Sequence, residues 1–241
     1  MQCEELKNKY YLSKPNWVDG TKEFLNILNE YIIPDKTRLL EIGSGPTNNT
    51  SDFLASKVAR LDGLDIDERI NSNAALQQAV IYDGGEFPIE DNCYDLIVAD
   101  YVMEHVEDPI LMLKEINRVL RPGGHFVFRT PNIYHYVSIV SRFTPHSFHL
   151  AVANKMRQKP DDAIEPYPTF YRFNSRGAVL TAMKQASLEN VELRMIEKQP
   201  SYLQFNPWAY RLGVTYERIV NSTGLLAGLR SNIFGTLMKQ K

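Results

Sequence analysis

The chain has 241 residues and 44% of them are hydrophobic, enough for one α/β domain with an elaboration and too many for a chain that is disordered overall. The formal net charge of −2 gives no basic surface of the kind that nucleic-acid binding needs, so we expect no nucleic-acid partner. Cys3 and Cys93 are the only cysteines, and two cysteines alone supply neither a disulfide framework nor the four ligands of a zinc site.

The N-terminal residues do not resemble a signal peptide. MQCEELKNKYY lacks the apolar core of a signal peptide, and the chain has no run of the ~18 apolar residues that a membrane span needs. We therefore expect a reduced, cytoplasmic protein without a transmembrane segment. Residues 1–20 are polar apart from Tyr10, Tyr11 and Trp17, which predicts a loose arm anchored by its aromatic rings. A lid over a substrate is the alternative.

A predicted helix and strand lead into a glycine loop. Apolar residues at helical spacing predict a helix over Thr21 to Ile33, which Pro34 ends. Arg38 to Asn48 reads RLLEIGSGPTN, a short apolar run typical of a buried parallel strand, followed by a turn on Gly43 and Gly45. Such a loop between a strand and a helix either builds a nucleotide-binding crevice or only makes a tight corner.

The second predicted strand ends in a carboxylate. Ser51 to Arg60 indicates a helix, and Leu61 to Asp65 indicates the strand. Asp65 lies 22 residues after Gly43, and an acidic side chain about 20 residues beyond the first glycine can accept hydrogen bonds from both ribose hydroxyls of a nucleoside. The alternative is a capping or solvated aspartate, because Asp65 and Asp67 precede a short helical pattern.

Three more strands are predicted before residue 130, at Ala79 to Tyr82, at Tyr94 to Ala99 and at His125 to Phe128. A helix over Pro109 to Leu120 separates the last two. The alternation of strands and helices predicts a parallel sheet with right-handed crossovers.

The remainder of the chain is less regular. Thr130 to Phe173 is rich in proline, histidine and aromatic residues, which is typical of a functional loop or lid. A helix from Asn174 through Ala186 and an alternating edge strand over Val191 to Lys198 follow. Trp208 to Leu237 shows two helical patterns with interspersed arginines. We expect these helices to pack on the sheet edge; contact with a membrane surface and a homodimer interface are the alternatives.

Four blocks in order resemble class I S-adenosylmethionine-dependent methyltransferases: LLEIGSGPT, GLDID, YDGGEFPIEDNCYDLIVADYVMEH and EINRVLRPGGHFVF. They cover roughly residues 36–130 and are most similar to the small-molecule group that includes quinone-biosynthesis enzymes. A nicotinamide-dependent oxidoreductase, the competing class, prefers G-x-G-x-x-G, and that frame here reads Gly43, Gly45 and Asn48. The missing third glycine therefore disfavours a nicotinamide cofactor.

The resemblance implies a mostly parallel seven-stranded Rossmann-like sheet with helices on both faces, an insertion after strand 5 and C-terminal helices. It assigns Glu41, Gly43 and Gly45 to the loop under the methionine part of S-adenosylmethionine. It also implies that Asp100 and Tyr101 face the cofactor and the substrate.

The same resemblance assigns the adenosine end. Asp65 matches the ribose-binding carboxylate, Ile66 would pack against the adenine, and Asp83 and Gly84 match the position beside the adenine amino group. The family often has a further glycine in the first loop, where this chain has Thr47.

The sequence identifies the acceptor side less well. His105 is a candidate base, since it follows the fourth strand and histidine titrates near neutral pH; a structural role is the alternative, and we leave the catalytic residue unassigned. His146 and His149 have H-x-x-H spacing, but two histidines without further ligands do not predict a metal, so we expect none. The residues that could contact a polar or anionic acceptor, or brace the loop, are Arg142, His146, His149, Tyr171 and Arg172.

We therefore predict a single methyltransferase domain over 1–241. Its parts are an N-terminal arm and helix (1–35), a cofactor-binding core (36–130), an acceptor-side insertion (131–173), and a sheet edge with C-terminal helices (174–241). The expected activity is in-line methyl transfer from S-adenosylmethionine, leaving S-adenosylhomocysteine, to a small-molecule or glycan-type acceptor. The glycan alternative comes from TPNIYHYVSIVSRFTPHSFH and YPTFYRFNS, which resemble insertions in bacterial methyltransferases associated with surface glycans. A non-catalytic cofactor-binding protein or partner subunit with this fold is the competing hypothesis.

Overall fold

The computed structural model describes residues 2–143, with side chains up to residue 140, and residues 167–241. The predicted acceptor residues His146 and His149 lie outside the described residues. Within these ranges no helix is long and apolar enough to cross a membrane.

A seven-stranded sheet organises the fold, in the strand order β3-β2-β1-β4-β5-β7-β6. In chain order the strands are β1 (Arg38–Ile42), β2 (Arg60–Asp65), β3 (Gln78–Ile81), β4 (Tyr94–Asp100), β5 (Leu120–Pro131), β6 (Leu188–Ile196) and β7 (Asn232–Lys239). β1 pairs in parallel with both β2 and β4, β2 pairs in parallel with β3, and β4 with β5. The predicted mostly parallel, Rossmann-like sheet is confirmed.

The strand order reverses direction between β1 and β4, because β2 and β3 extend to one side of β1 while β4 and β5 extend to the other. In open α/β sheets, ligands bind outside the carboxyl ends of the strands at such a switch point. The register aligns Leu64, Ile42, Ala99 and Phe128 in one row across four strands. The residue after each of these therefore lies at the carboxyl edge where a ligand would bind.

The central strands have apolar sequences without strict alternation because helices cover both faces of such a sheet. Leu39, Leu40 and Ile42 of β1 are fully buried, as are the residues from Leu96 to Ala99 in β4. The aromatic rings of Phe126 and Phe128 in β5 stack at 5.3 Å between centroids. These contacts form the core of the sheet and fix the strand ends.

The α-helices are α1 (Cys3–Lys7), α2 (Gly20–Tyr31), α3 (Asn49–Ala55), α4 (Pro109–Val119), α5 (Tyr136–Phe143), α6 (Arg176–Gln185) and α7 (Pro207–Asn221). The starts of α4 and α7 follow ordinary capping chemistry. Asp108 accepts backbone hydrogen bonds from Ile110 and Leu111 at the start of α4, and Asn206 does the same for the first turn of α7. Proline occupies the first helical position in both cases, where its missing N–H costs nothing.

The last predicted helical pattern is a strand instead. Residues 232–239 form β7, so the prediction of a second C-terminal helix is wrong, while the seventh strand of the sheet is confirmed. The segment is buried almost continuously, and a short apolar run buried on both faces has no periodicity that separates a strand from a helix. Gly235 decides the packing, because the ring of Phe128 occupies the space that its Cβ would need.

The described residues separate into two compact units. One includes residues 24–130, 169–194 and 234–241 and contains most of the sheet. The other includes 2–23, 131–143, 167–168 and 195–233. In the latter, the N-terminal residues are helical rather than loose, and Tyr11 packs against Trp17 and, edge to face, against Tyr210 at 6.4 Å.

Candidate functional site

The glycine loop leaves β1 at the switch point. Gly43 has φ +70° and its N–H donates to the carbonyl of Leu64 at 2.7 Å, so it continues the β1–β2 ladder by one residue. Gly45 has φ +53°, in the left-handed region that glycine adopts at little cost. Its N–H donates to Asp65 Oδ2 at 2.8 Å. The loop is thus held to the end of β2 by a backbone bond and by a carboxylate.

Asp65 connects two loops. Its Oδ2 accepts from Gly45, and its Oδ1 accepts from the N–H of Asp67 at 2.9 Å. The side chain is largely buried, yet a carboxylate has about four acceptor positions, so each oxygen can accept a further bond. The helix-capping role falls to Asp67, which caps the short 3₁₀ helix Glu68–Ser72 by accepting from the N–H of Arg69.

Glu41 lies behind the loop as a buried carboxylate. Its Oε2 accepts a hydrogen bond from the hydroxyl of Ser51 at 2.7 Å. Burial raises the pKa of Glu41 to about 7, Ser51 opposes this rise, and the nearby charges of Asp100 and Asp65 add to it. Glu41 therefore changes charge close to neutral pH.

Two asparagines brace the loop from below, and the sequence did not identify either. Asn48 caps α3 and donates to the carbonyl of Ser44 at 2.8 Å. Asn73 donates to the carbonyl of Gly45 at 3.2 Å and to the hydroxyl of Ser51 at 3.1 Å. The only available signal for Asn48 was its position before a helix; Asn73 follows the 3₁₀ helix and had none.

The end of β4 carries Asp100 and Tyr101. Asp100 forms an ion pair with Arg129, whose Nη2 donates to Asp100 Oδ2 at 2.7 Å and whose Nε donates to the other carboxylate oxygen. Tyr101 has φ +55°, and the guanidinium of Arg129 lies 4.7 Å from the centroid of its ring. Arg129 was missed by the sequence analysis, although an arginine at the end of an apolar strand was a usable signal.

The third strand contributes Asp83 and Gly84. Gly84 has φ +93°, and Asp83 Oδ1 accepts from the N–H of Gly85 at 3.0 Å. Because Ile81 of β3 lies opposite Asp65 of β2, Asp83 follows at the same edge of the sheet. Ile66 is 52% exposed although it follows a buried strand, so it presents an apolar surface at this edge.

His105 ends the short 3₁₀ helix Met103–His105 after β4 and is half-buried. Its neighbour Glu104 is buried and accepts from the hydroxyl of Thr130 at 2.9 Å, and Asn174 donates to that hydroxyl at 2.7 Å. Burial raises the pKa of the Glu104 carboxyl. Of these two neighbours, Glu104 is thus buried and hydrogen-bonded, whereas His105 is more accessible.

Two of the predicted acceptor residues lie beside this segment. The backbone N–H of Tyr171 donates to the carbonyl of Glu104 at 3.2 Å, and Arg172 Nη1 donates to the carbonyl of Glu107 at 2.7 Å. Arg172 is exposed. Arg142 belongs to α5, but its side chain is outside the described ones. Among the described residues, no group of three or more metal-ligating side chains converges.

The register brings the predicted cofactor residues together. Gly43, Asp65 and Asp100 each follow the aligned row of Ile42, Leu64 and Ala99, so they share one edge of the sheet at the switch point. Residues 40–128, which contain this row, match the family model described as "Methyltransferase domain". This region is a class I S-adenosylmethionine-dependent methyltransferase domain. S-adenosylmethionine is the cofactor of that class.

Relatives of the methyltransferase domain include the probable S-adenosylmethionine-dependent methyltransferase of Mycolicibacterium smegmatis, 37% identical over 98 residues, which are 39% of this chain and 38% of that protein. The ubiquinone biosynthesis O-methyltransferase of Marinobacter nauticus is 27% identical over 165 residues, 60% of this chain and 65% of the relative. The matches thus span between about two fifths and two thirds of these relatives' lengths.

A solved structure shares the fold. The Haemonchus contortus phosphoethanolamine N-methyltransferase 2, in complex with S-adenosyl-L-methionine, has a TM-score of 0.56 and 17% identity to this chain. The superposition covers 92% of this chain and 53% of that one. At this identity the similarity supports the methyltransferase fold only.

Proposed function

We propose that this protein transfers the methyl group of S-adenosylmethionine to a small-molecule acceptor and releases S-adenosylhomocysteine. The observation that carries the proposal is the shared edge of Gly43, Asp65 and Asp100 at the switch point of a methyltransferase domain. The quinone-biosynthesis relative supports an aromatic or quinone-like acceptor with a hydroxyl nucleophile.

The residues present fit the nucleoside part of the cofactor. Asp65 retains acceptor positions for ribose hydroxyls beyond the two backbone bonds that it already accepts. A Cβ at Gly45 would meet no atom within 4 Å, so the loop is open there to a ligand that approaches the main chain. Ile66 offers its exposed apolar surface for the adenine, with Asp83 as an acceptor for the adenine amino group.

The protein's contribution to the reaction is binding and alignment. The cofactor supplies a methyl group already activated by the positive charge of its sulfonium sulfur. An in-line displacement then depends on how accurately the nucleophile is positioned, which can account for most of the rate enhancement. Tyr101 and His105 follow β4; in this proposal they face the acceptor, and His105 takes a proton from a hydroxyl nucleophile.

Calorimetric titration tests the first half of this proposal. We expect saturable binding of S-adenosylmethionine and S-adenosylhomocysteine and none of NAD. At 100 times its dissociation constant, S-adenosylhomocysteine should stabilise the protein by about 2.7 kcal/mol and raise its melting midpoint by roughly 5–10 °C. Tight NAD binding without a response to either sulfur compound would contradict the proposal.

Turnover tests the second half. Incubation with radiolabelled S-adenosylmethionine and a panel of hydroxylated quinones and phenols should label at least one acceptor in proportion to enzyme concentration. A glycan acceptor, the alternative, would leave this panel unlabelled and label a bacterial polysaccharide extract. Cofactor binding without labelling of any acceptor would favour the non-catalytic alternative.

A further inference from the structure

α7 buries one side and exposes the other. Tyr210, Val214 and Val220 are buried, and the apolar residues between them point outward. Trp208 is 73% exposed and Leu212 is 72% exposed. With Arg211, Thr215 and Ile219 these residues follow helical spacing, and we call this set of five residues the outer face of α7.

Two further exposed apolar residues flank the helix in the sequence. Phe205, just before α7, is mostly exposed. Leu225, in the 3₁₀ turn Gly224–Leu229 after it, is 94% exposed. Several large apolar side chains are therefore exposed within about 25 residues. Such a concentration indicates an interaction surface rather than isolated exposed residues.

Within residues 201–229, the exposed charges are of one sign. Residues 201–229 contain only three charged side chains, Arg211, Glu217 and Arg218. Glu217 is buried, accepts hydrogen bonds from Asn221 at 2.8 Å and from the hydroxyl of Tyr11 at 3.3 Å, and forms an ion pair with Arg218 at 3.3 Å. The segment therefore presents Arg211 and the exposed guanidinium of the Arg218–Glu217 ion pair, and no exposed carboxylate, in a protein whose overall charge is negative.

The two arginines share a groove. Arg211 and Arg218, two helical turns apart, line a shallow depression of about 490 Å³ together with Tyr10, Thr215 and Ile219. The guanidinium of Arg211 lies 5.2 Å from the ring centroid of Trp208, and that of Arg218 lies 6.0 Å from the ring of Tyr11. Tyr11 is buried, but the exposed Trp208 ring beside Arg211 places a cationic group next to an aromatic ring, as at a lipid–water interface.

We propose that the outer face of α7 docks on an anionic phospholipid surface. The apolar side chains enter the boundary between headgroups and acyl chains, and Arg211 and Arg218 bind lipid phosphates in the groove. A second copy of the chain is a poorer occupant, because a two-fold contact would bring arginines against arginines without an exposed carboxylate on this face to pair them. The inference does not depend on the methyl-transfer activity.

Vesicle sedimentation tests the proposal. The protein should bind vesicles of phosphatidylcholine mixed with phosphatidylglycerol, bind phosphatidylcholine vesicles weakly, and dissociate as salt is raised. Arg211→Glu with Arg218→Glu should lower the partition coefficient at least tenfold. The matched control is Lys22→Glu with Lys57→Glu, which changes the net charge equally at two exposed lysines outside the segment and should bind within about threefold of the unaltered protein.

Fluorescence provides a second measurement. The chain has two tryptophans, so Trp17→Phe leaves Trp208 as the only reporter. The emission of Trp208 in this variant should shift to the blue when anionic vesicles are added. When Leu212→Ser is introduced as well, docking should be lost and the emission should not shift. Absence of vesicle binding, or an equal loss in the lysine control, would overturn the proposal. So would a concentration-dependent dimer that Leu212→Ser abolishes in the absence of vesicle binding, which would assign the face to self-association.

Discussion

At the scale of single residues, the carboxylates of Asp65 and Glu41 at the glycine loop have different environments and different expected roles. Asp65 accepts two backbone hydrogen bonds and keeps acceptor positions for further donors. Glu41 has one hydroxyl donor and lies in the interior, where burial favours its neutral form. One side chain is therefore suited to hold hydroxyl donors, and the other responds to pH near neutrality.

Replacing Glu41 by glutamine should stabilise the fold at alkaline pH. The pKa of Glu41 is raised from 4.5 to about 7 in the folded chain, so the folded state binds the extra proton and loses stability as pH rises from 4.5 through 7. Glutamine removes the buried charge, worth at most about 3 kcal/mol above pH 7. Thermal unfolding should show a higher midpoint for Glu41→Gln at pH 8 and little difference at pH 5.

Glu115 is the matched control because its pKa shifts the other way. Hydrogen bonds from Arg118 lower the pKa of Glu115, so its stabilisation is present above the unfolded value and is lost as pH falls. Glu115→Gln should therefore lower the midpoint at pH 8 more than at pH 4. A Glu41→Gln variant that behaves like Glu115→Gln would show that Glu41 is ionised in the folded protein throughout this range.

Replacing Asp65 should weaken cofactor binding. Asp65→Ala removes the carboxylate proposed to accept the ribose hydroxyls, and charge-assisted hydrogen bonds are each worth about 1.5–3 kcal/mol. The dissociation constant for S-adenosylmethionine should rise at least tenfold, while Glu68→Gln, an exposed neighbour, leaves it unchanged. Circular dichroism establishes that the variant is folded. Unchanged affinity would confine Asp65 to its structural bonds with Gly45 and Asp67.

At the scale of elements, β7 depends on a residue without a side chain. The ring of Phe128 lies over Gly235 and fills the space that a Cβ there would occupy, so this position of the ring requires glycine. Leu193 packs at the same point, 3.2 Å from the position of that Cβ. The glycine is therefore required by packing, since its φ is not one that other residues avoid.

Gly235→Ala should destabilise the protein by about 1–3 kcal/mol, because overpacking forces the Phe128 ring from its position. Gly177→Ala is the control: a Cβ there meets nothing within 4 Å, and alanine in helix α6 should stabilise by about 0.4–1 kcal/mol. Urea unfolding of both variants measures the difference. Equal effects of the two substitutions would show that the Phe128 contact yields without cost.

At the scale of the whole molecule, the two compact units carry different proposed tasks. The unit with most of the sheet holds the cofactor-side residues at one edge, and Tyr171 and Arg172 lie beside the segment after β4. The other unit contains α7 and its exposed outer face. Within the first unit, the proposed cofactor residues and the proposed acceptor residues Tyr171 and Arg172 come from different segments of the chain, so we expect the two sets to respond separately to substitution.

The double variant His146→Ala with Arg172→Ala tests this separation. Neither residue belongs to the proposed cofactor set, so affinity for S-adenosylmethionine should stay within a few fold of the unaltered protein. Turnover with the true acceptor should fall by up to about a hundredfold, since misplacement of a reactant by about 1 Å can cost that much. Lys184→Ala, at an exposed position of α6, is the control. Lost cofactor binding in a folded variant, or full turnover, would refute the acceptor assignment.

The sequence by itself determined the parallel core, because the buried strands at Leu39 and Leu96 and the glycine loop leave strong local patterns. The spacing between Gly43 and Asp65 also made Asp65 a candidate ribose-binding residue. Only the tertiary structure decided which groups meet. Asp100 pairs with Arg129 because of the register between β4 and β5. Residues 232–239 form β7 rather than the predicted helix, and this segment is buried on both faces. Local patterns report the backbone preference of a segment, whereas ion pairs, pKa shifts and exposed faces arise from neighbours distant in sequence.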